Sequence, residues 1–112
     1  MSGPLFSIIT VCLNAEVHIS EALESVLAQS FGYYELIVAD GGSTDGTLGI
    51  LGASEPRFGG RMNWLSERDD GIYDAMNRVL DRATGEYVEF LGADDRLRPG
   101  ALAAVANALG ST

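Results

Sequence analysis

The sequence predicts an α/β fold, a three-layer sandwich in which helices cover both faces of a mostly parallel sheet. The first observation is an alternation: short apolar runs, typical of strands, are each followed by a segment whose apolar residues recur every three or four positions. Four such strand and helix pairs require crossover connections, which place the strands parallel. The second observation is size, because 112 residues, 46% of them hydrophobic, are enough for one core. We therefore expect residues 1–112 to form a single domain.

The four predicted strands differ in composition. Residues 6–11 and 35–39 are continuous apolar runs, the pattern of strands buried on both faces of a sheet. Residues 62–66 form a third short run. Residues 86–91 form a fourth, which contains two glutamates and is less uniformly apolar than the first two. We expect all four strands in one sheet.

Three segments between and after these strands carry a helical stripe. Residues 15–29 place apolar side chains at i, i+3, i+4, i+7 and i+8, which lie on one helix face. Residues 72–83 repeat this pattern up to Gly85, a residue that commonly ends helices. The last stripe follows Pro99, placed where a first helical turn would begin, and runs to Leu109. These three segments are predicted as helices.

The segment after the second strand is less well defined. A short helix is expected to begin within the turn-rich residues 41–47. Gly49 and Gly52 oppose this helix, because each costs about 1 kcal/mol relative to alanine inside a helix. For residues 52–60 we predict a loop without regular structure.

Charge and cysteine content narrow the function classes. Acidic residues outnumber basic ones 16 to 7, and the formal net charge is -9. Without a basic cluster to neutralise a phosphate backbone, direct nucleic-acid binding is not expected. Cys12 is the single cysteine, so no internal disulfide can form, and its apolar surroundings predict a buried thiol in a reducing compartment. No run approaches the roughly 20 apolar residues of a membrane span.

Polar side chains follow each predicted strand at its carboxyl end. Asn14 follows the first strand, residues 40–45 the second, residues 67–70 the third, and Asp94 with Asp95 the fourth. In a parallel sheet these four clusters share one edge, which is where α/β folds bind ligands. A single carboxylate there could be a solvated loop charge or a helix cap. Several converging carboxylates instead indicate a cation or a donor-rich ligand that makes their proximity tolerable.

The residues around these clusters carry a family resemblance. Residues 35–47, ELIVADGGSTDGT, resemble the signature of family-2 glycosyltransferases with the GT-A fold. Residues 66–77, 83–87 and 90–95 resemble the later blocks of the same family, in the usual order. With Asn14, Glu16 and Gln29, the resemblance covers nearly the whole chain. It implies the Rossmann-like, nucleotide-sugar-binding half of a glycosyltransferase.

The resemblance implies a donor site at the strand ends. Asp40 would accept a hydrogen bond from the ring N–H of uracil, which suits an ionised carboxylate and indicates a UDP-sugar. Its alternative role is capping the following turn. Val11 and Asn14 would line the base and ribose pocket, or else pack as ordinary strand-end residues. Asp69 matches an acidic position that faces the donor.

Asp94 and Asp95 resemble the metal-binding acidic motif of the family, although the frequent first aspartate of that motif is here Gly92. Their oxygen ligands suit magnesium or manganese, which would bridge the pair to the diphosphate. The catalytic role implied for the pair is to stabilise the departing diphosphate, with one aspartate on the metal and the other near the ribose, in an order left open. Helix capping before Pro99 is the alternative. Ser43, Thr44 and Asp45 are expected to hold the turn that follows Asp40.

Two positions near Asp69 depart from the family pattern. Asp70 stands where many relatives have lysine, and Arg68 replaces a common proline. Both substitutions leave the roles of these positions open.

What we expect of the acceptor and of the catalytic base follows from the resemblance alone. The resemblance implies an inverting transfer to a hydroxyl of a saccharide or lipid-linked acceptor, in the cytoplasm or peripherally at the inner face of a membrane. A general base would come from a segment after the metal motif, and the chain ends at Thr112, so we expect a truncation before the acceptor-binding part. Homo-oligomerisation stays open.

Three alternatives from other classes are considered. A non-catalytic nucleotide-binding or assembly module stays open. A phosphoacceptor receiver domain needs a lysine near the last strand, and this chain has no lysine. A nucleotidylyltransferase would need a glycine-rich phosphate loop after the first strand, and residues 12–15 are not one.

Overall fold

The structure, a computed structural model, describes residues 3–68 and 72–110, with residues 72–75 described by their backbone alone. The described residues form a four-stranded sheet of order β3-β2-β1-β4, and every neighbouring pair is parallel. The strands are β1 (Phe6–Cys12), β2 (Tyr34–Asp40), β3 (Met62–Ser66) and β4 (Tyr87–Phe90). The helices are α1 (Ile19–Leu27), α2 (Thr47–Ser54), α3 (Ile72–Leu80) and α4 (Ala101–Gly110). The predicted strand and helix alternation is confirmed.

Two apolar layers hold the sheet between the helices. Ile8 and its β2 neighbour Leu36 pack on one face with buried residues of α1 and α2. Ile9 and Ile37 point to the other face, where they pack with Val79 of α3. Successive side chains of β1 and β2 therefore enter opposite layers, which explains their continuous apolar sequence. The predicted three-layer arrangement is confirmed.

The strand register determines where the strands end. β1 pairs with β2 from Phe6↔Tyr34 to Cys12↔Asp40, and β2 pairs with β3 up to Asp40↔Ser66. Cys12, Asp40 and Ser66 therefore lie side by side. β4 pairs with β1 only as far as Ile9↔Phe90. The carboxyl ends of all four strands consequently share one edge, as the alternation predicted.

The first helix is shorter than predicted. It begins at Ile19 instead of Ala15, and a turn precedes it in which the backbone N–H groups of His18 and Ile19 donate to the Ala15 carbonyl. The backbone N–H groups of Ala15 and Glu16 donate to the Thr47 hydroxyl and the Asp45 carboxylate, as the unpaired first N–H groups of a helix do when side chains cap them. These contacts join the turn to the segment after β2, and the regular α-helix begins at Ile19.

The predicted loop at residues 52–60 is wrong for most of its length. α2 continues to Ser54, and a 3-10 helix follows at Glu55–Phe58. Leu51 and Phe58 are fully buried in the larger apolar layer. Burial of these two side chains outweighs the low helix propensity of the glycines, because each buried side chain contributes about 1.5–3 kcal/mol to stability. Gly59, with φ 60°, ends the 3-10 helix in the left-handed conformation.

β4 forms one edge of the four-stranded sheet in the described chain. All four of its residues are exposed, and Tyr87, Val88 and Phe90 each expose between 42% and 49% of their surface. Its mixed composition, noted in the sequence, agrees with this position.

None of the helices in the described ranges has the length and hydropathy needed to cross a bilayer.

Polar contacts, two of them partly buried, join the turn before β4 to the centre of the sheet. Glu35 of β2 accepts hydrogen bonds from the Ser7 hydroxyl and, at 2.6 Å, from the Thr84 backbone N–H. The Gly85 N–H donates to the Ser7 hydroxyl at 2.8 Å. A Cβ atom on Gly85 would lie 2.6 Å from the Ser7 nitrogen. The close approach of two backbones therefore requires glycine at this position.

A matched pair of glycine substitutions tests this packing. Gly85→Ala should lower the free energy of unfolding by about 1–3 kcal/mol, because the added methyl group overlaps the β1 backbone. Gly49→Ala in α2 meets no atom within 4 Å and should raise it by about 0.5–1 kcal/mol through helix propensity. Urea unfolding followed by circular dichroism measures both. Equal effects of the two substitutions would contradict the close approach at Gly85.

Candidate active site

The carboxyl-end edge of the sheet, hereafter the rim, comprises residues 11–16, 40–46, 66–68 and 91–95. Three of these segments follow β1, β2 and β3, which end side by side. The fourth follows β4, whose last sheet hydrogen bond runs from the Leu91 N–H to the Ile9 carbonyl at 2.9 Å. The topology therefore places every polar cluster found in the sequence on this rim, within the described part of the chain.

The Asp40 side chain is the centre of the hydrogen bonding at the rim. Although charged, it is only 1% exposed. It accepts five hydrogen bonds, from the backbone N–H groups of Gly42 and Ser43, the hydroxyls of Ser43 and Ser66, and the Cys12 thiol. A carboxylate offers about four lone-pair sites, so these donors occupy its acceptor capacity. These contacts agree with the role of Asp40 in capping the turn. Acceptance of a hydrogen bond from the uracil N–H stays a prediction, and it requires that one of the five donors leave Asp40.

Burial and these hydrogen bonds determine the ionisation states of Asp40 and Cys12. Burial acts to raise the pKa of Asp40, but the hydrogen bonds from Ser43, Ser66 and Cys12 outweigh it and hold the pKa below its ordinary value. Burial raises the pKa of the Cys12 thiol to about 12, with further contributions from the Asp40 charge and hydrogen bond and from the Asp45 charge. Asp40 is therefore a carboxylate and Cys12 a protonated donor at neutral pH. The expected buried thiol is confirmed.

A second set of hydrogen bonds joins the loops after β1 and β2. The Asn14 N–H donates to the Ser43 hydroxyl, and the Thr44 N–H donates to the Asn14 side-chain carbonyl, both at 2.8 Å. Asn14 has φ 49°, a left-handed conformation that asparagine tolerates better than most residues. The Gly46 N–H donates to the Glu16 carboxylate at 2.9 Å. These hydrogen bonds join the two loops into one wall of the rim.

Asp45 and Thr47 complete this wall. Asp45 accepts from the Thr47 N–H at 2.9 Å and from its hydroxyl at 2.6 Å, and the Thr47 hydroxyl in turn accepts from the Ala15 N–H at 2.8 Å. The hydrogen bonds from Thr47 lower the pKa of Asp45. These contacts agree with the expected roles of Ser43, Thr44 and Asp45 in holding the turn.

The acidic pair after β4 lies exposed in an irregular segment. A Cβ atom on Gly92 would be 2.9 Å from an Asp95 carboxylate oxygen and 3.2 Å from an Asp94 carboxylate oxygen. Both carboxylates therefore fold over Gly92, and glycine there provides the room for them. The register of β1 with β4, continued two residues past Phe90, would place Gly92 beside Val11.

Neighbouring positions connect the acidic pair to Asp40. Val11 is half-buried and packs with the smaller apolar layer, directly before Cys12, which donates to Asp40. Contacts thus connect Asp40 in β2 to Cys12 in β1, and β1 in turn lies beside the segment that carries the acidic pair. Asp69, predicted to face the donor, and Asp70 lie outside the described residues.

The sequence did not identify the roles of two rim residues. Ser66, the last residue of β3, donates to Asp40 at 2.8 Å. Arg68 is exposed, and its Cα lies 3.4 Å from the position a Cβ on Gly42 would take. The backbone of Arg68 therefore lies in ordinary contact distance of Gly42, whose φ of 94° is left-handed. The signal in the sequence was the place of both residues at the end of a strand, but the register that brings them to Asp40 and Gly42 is tertiary.

The donor chemistry at the rim is compatible with a hydrated, phosphate-bound cation. Across residues 3–68 and 72–110, no three His, Cys, Asp or Glu side chains converge as a complete metal site. Asp94 and Asp95 supply two hard oxygen donors on one side of Gly92. Magnesium-type sites with substrate phosphates need only one or two carboxylates, because phosphate and water oxygens complete the shell. The pair therefore fits a divalent cation that arrives with a diphosphate.

A parallel α/β sheet with a polar rim and an exposed carboxylate pair places the chain among α/β folds that bind ligands at the carboxyl ends of their strands. The sequence profile described as "Glycosyl transferase family 2" matches residues 7–112, and the chain belongs to this family. The resemblance seen in the sequence is thereby confirmed.

Individual relatives agree with this assignment. The chain is 46% identical over 97 residues to a PGL/p-HBAD biosynthesis glycosyltransferase of Mycobacterium bovis, covering 87% of this chain and 38% of that protein. Among solved structures, it is similar to S. aureus TarS 1-349 in complex with UDP-GlcNAc, with TM-score 0.88, 29% identity, and coverage of 95% of this chain and 31% of that one. It is also similar to the mannosyltransferase PcManGT from Pyrobaculum calidifontis in complex with GDP-Man and Mn2+, with TM-score 0.80, 28% identity, and coverage of 96% and 32%.

The contact between Cys12 and Asp40 makes a prediction about thiol reactivity. Alkylation of Cys12 at pH 8 should be slower by a factor on the order of a hundred or more than in concentrated urea, because only the thiolate reacts and the folded protein suppresses it. Asp40→Asn should accelerate alkylation of the folded protein, since it removes the negative charge that helps to raise the pKa of the thiol.

The measurement is the rate of iodoacetamide labelling followed by mass spectrometry. Asp81→Asn, at an exposed position after α3, is the control of equal charge change. Equal rates for the folded and urea-unfolded protein would contradict the buried, protonated thiol.

Proposed function

We propose that this chain binds the nucleotide sugar, a UDP-sugar, for a metal-dependent, inverting glycosyltransferase that acts on an acceptor hydroxyl. The observation that carries the proposal is the rim, where parallel strand ends bring the loop held by Asp40 and the Asp94–Asp95 pair to one edge. The TarS structure with UDP-GlcNAc and the PcManGT structure with GDP-Man and Mn2+ support the choice of donor class and cation.

The nucleoside part of the donor would lie against the wall formed by the two loops. Val11 and Asn14 would line it, Val11 through its backbone, and Asp69 would face the donor from the segment after β3. Asp40 would contribute through the loop that it holds, with direct acceptance of the uracil N–H as the finer prediction. A wall fixed before binding lowers the entropic cost of ordering a ligand.

The diphosphate part would lie at the acidic pair. Asp94 and Asp95 would hold magnesium or manganese, which would supply positive charge opposite the departing diphosphate. The chain needs such compensation, because its net charge of -9 otherwise repels a phosphorylated ligand. Arg68, which lies against Gly42, adds one guanidinium to the rim.

In the proposed reaction, the acceptor oxygen attacks the anomeric carbon while the bond from that carbon to the diphosphate oxygen breaks. The diphosphate leaves with the bonding electron pair, and a general base takes the acceptor proton. The chain spans 38% of the length of its mycobacterial relative. We propose that residues 1–112 supply donor binding, and that the base and the acceptor wall are supplied from outside them. The reaction would be cytoplasmic, at the inner face of a membrane for a lipid-linked acceptor.

A non-catalytic nucleotide-binding module is the second candidate. The two candidates share donor binding and differ in turnover. Release of sugar from a radiolabelled UDP-sugar by this chain would exclude the second candidate.

Metal-dependent donor binding tests the proposal directly. UDP should bind at least about tenfold more tightly with Mn2+ than without, a gain of ~1.4 kcal/mol, and Asp95→Ala should abolish this gain by removing a carboxylate from the cation. Asp81→Ala removes an equal charge from an exposed position after α3 and should leave the gain unchanged. Isothermal titration calorimetry measures each affinity. An unchanged gain in Asp95→Ala would refute the metal role of the pair.

The stereochemistry of transfer tests the inverting mechanism. In a preparation of the protein that turns over an α-linked UDP-sugar, direct attack should give a β-linked product, because the acceptor enters opposite the departing diphosphate. The anomeric proton coupling in the NMR spectrum distinguishes the two configurations, with a donor-only incubation as the control for hydrolysis. Retention of the donor configuration would refute inversion and leave donor binding intact.

A further inference from the structure

The segment that carries the acidic pair has no regular secondary structure of its own. β4 ends at Phe90 and α4 begins at Ala101. Between them, one hydrogen bond joins Leu91 to β1, and a turn is closed by the Asp95 N–H donating to the Gly92 carbonyl at 3.0 Å. A segment that holds two exposed like charges and ends a sheet ladder requires other contacts to keep its shape.

Two polar side chains provide those contacts, Ser25 in α1 and Gln29 two residues after its end. The Ser25 hydroxyl accepts from the Leu97 N–H at 3.0 Å. The Gln29 side chain donates to the Arg98 carbonyl at 2.9 Å and accepts from the Leu102 N–H at 3.1 Å. Ser25 and Gln29 are themselves linked, because the Gln29 side-chain amide also donates to the Ser25 carbonyl. Together they form the anchor, a name used below for these two side chains.

The anchor is itself held in place. Gln29 is 8% exposed, and its amide nitrogen also donates to the Ser25 carbonyl at 3.1 Å, so that both of its N–H donors and its oxygen have partners. The Ser25 hydroxyl donates to the Ala22 carbonyl at 2.7 Å. Leu102, beside the anchor, is 3% exposed in the larger apolar layer. A buried and fully paired amide is a rigid support.

The anchor and the acidic pair are neighbours in space. Ser25, Gln29, Asp94 and Asp95 all line one groove of about 800 Å³ between α1 and residues 94–99. The pair is therefore fixed on one side by the hydrogen bond to β1 and on the other by the anchor. Neither anchor residue needs to contact a ligand for this effect.

We propose that Gln29 and Ser25 are positioning residues that hold Asp94 and Asp95 in the geometry required by a cation with its diphosphate. The proposal rests on the function proposed above. Two adjacent carboxylates repel each other, so a free segment would turn them apart, and the cation would have to bring them together at a cost in affinity. An anchored segment presents them on the same side of Gly92 before the cation binds.

The test separates metal-dependent from metal-independent binding of UDP. Gln29→Met keeps the approximate side-chain volume and removes all hydrogen bonds of the amide. It should reduce the gain in UDP affinity from Mn2+ by about tenfold, as loss of outer-shell support does at metal sites, and change the metal-free affinity by less than about twofold. Ser25→Ala should reduce the gain in the same direction. Ser20→Ala, at an exposed position on α1 in the same groove, is the control and should keep the gain of the unaltered chain.

Hydrogen exchange supplies a readout without metal or nucleotide. The backbone amides of Leu97 and Leu102 should exchange faster in Ser25→Ala and Gln29→Met respectively, while those of β1 and β2 keep their protection. Unchanged metal-dependent gains in both variants, despite faster exchange at these amides, would overturn the positioning role. If Gln29→Met does not fold, the gain measured in Ser25→Ala decides the question.

The UDP titration also distinguishes failure of the proposed function from failure of the positioning role alone. An unaltered chain that binds UDP equally with and without Mn2+ would overturn the proposed use of metal and the positioning role together. An unaltered chain with a full gain, matched by both anchor variants, would overturn the positioning role alone.

Discussion

The buried carboxylate of Asp40 is the interaction on which the rim depends. Removing a charge from water is costly, and the cost is offset here by five donors. Those donors come from β1, from the loop after β2 and from the end of β3, so one side chain connects three parts of the chain. The shape of the loop at residues 41–46 follows from satisfying this charge, since Gly42 and Ser43 direct their N–H groups toward it.

The same loop is connected to the loop after β1 through Ser43, which contacts both Asp40 and Asn14. Glu16, Asp45 and Thr47 extend the connection. Most polar side chains in the signature at residues 40–47 thus have structural partners inside the protein. The residues that identify the family are in large part those that build the wall of the site, whereas the side chains left exposed for a ligand are few.

The carboxylates of the acidic pair differ from that of Asp40 in their exposure to solvent. Asp94 and Asp95 are exposed and remain available for ligation, while Asp40 is saturated by donors from the protein. The chain thus combines a buried charge that organises backbone with exposed charges on an irregular segment. The burial of Asp40 follows from the sheet register, whereas the irregular segment is supported by Ser25 of α1 and by Gln29 just after it.

The sequence by itself determined the alternation of strands and helices, the parallel sheet, and the convergence of Asn14, Asp40 and Asp94 on one edge, because hydrophobic periodicity and crossover geometry are local and general properties. Only the tertiary structure decided which carboxylate is buried and that residues 52–58 are helical. Both depend on partners that are distant in sequence, such as Ser66 for Asp40 and the apolar layer around Phe58. Hydrogen-bond pairing and side-chain burial are set by register and packing, and neither is encoded in a local pattern.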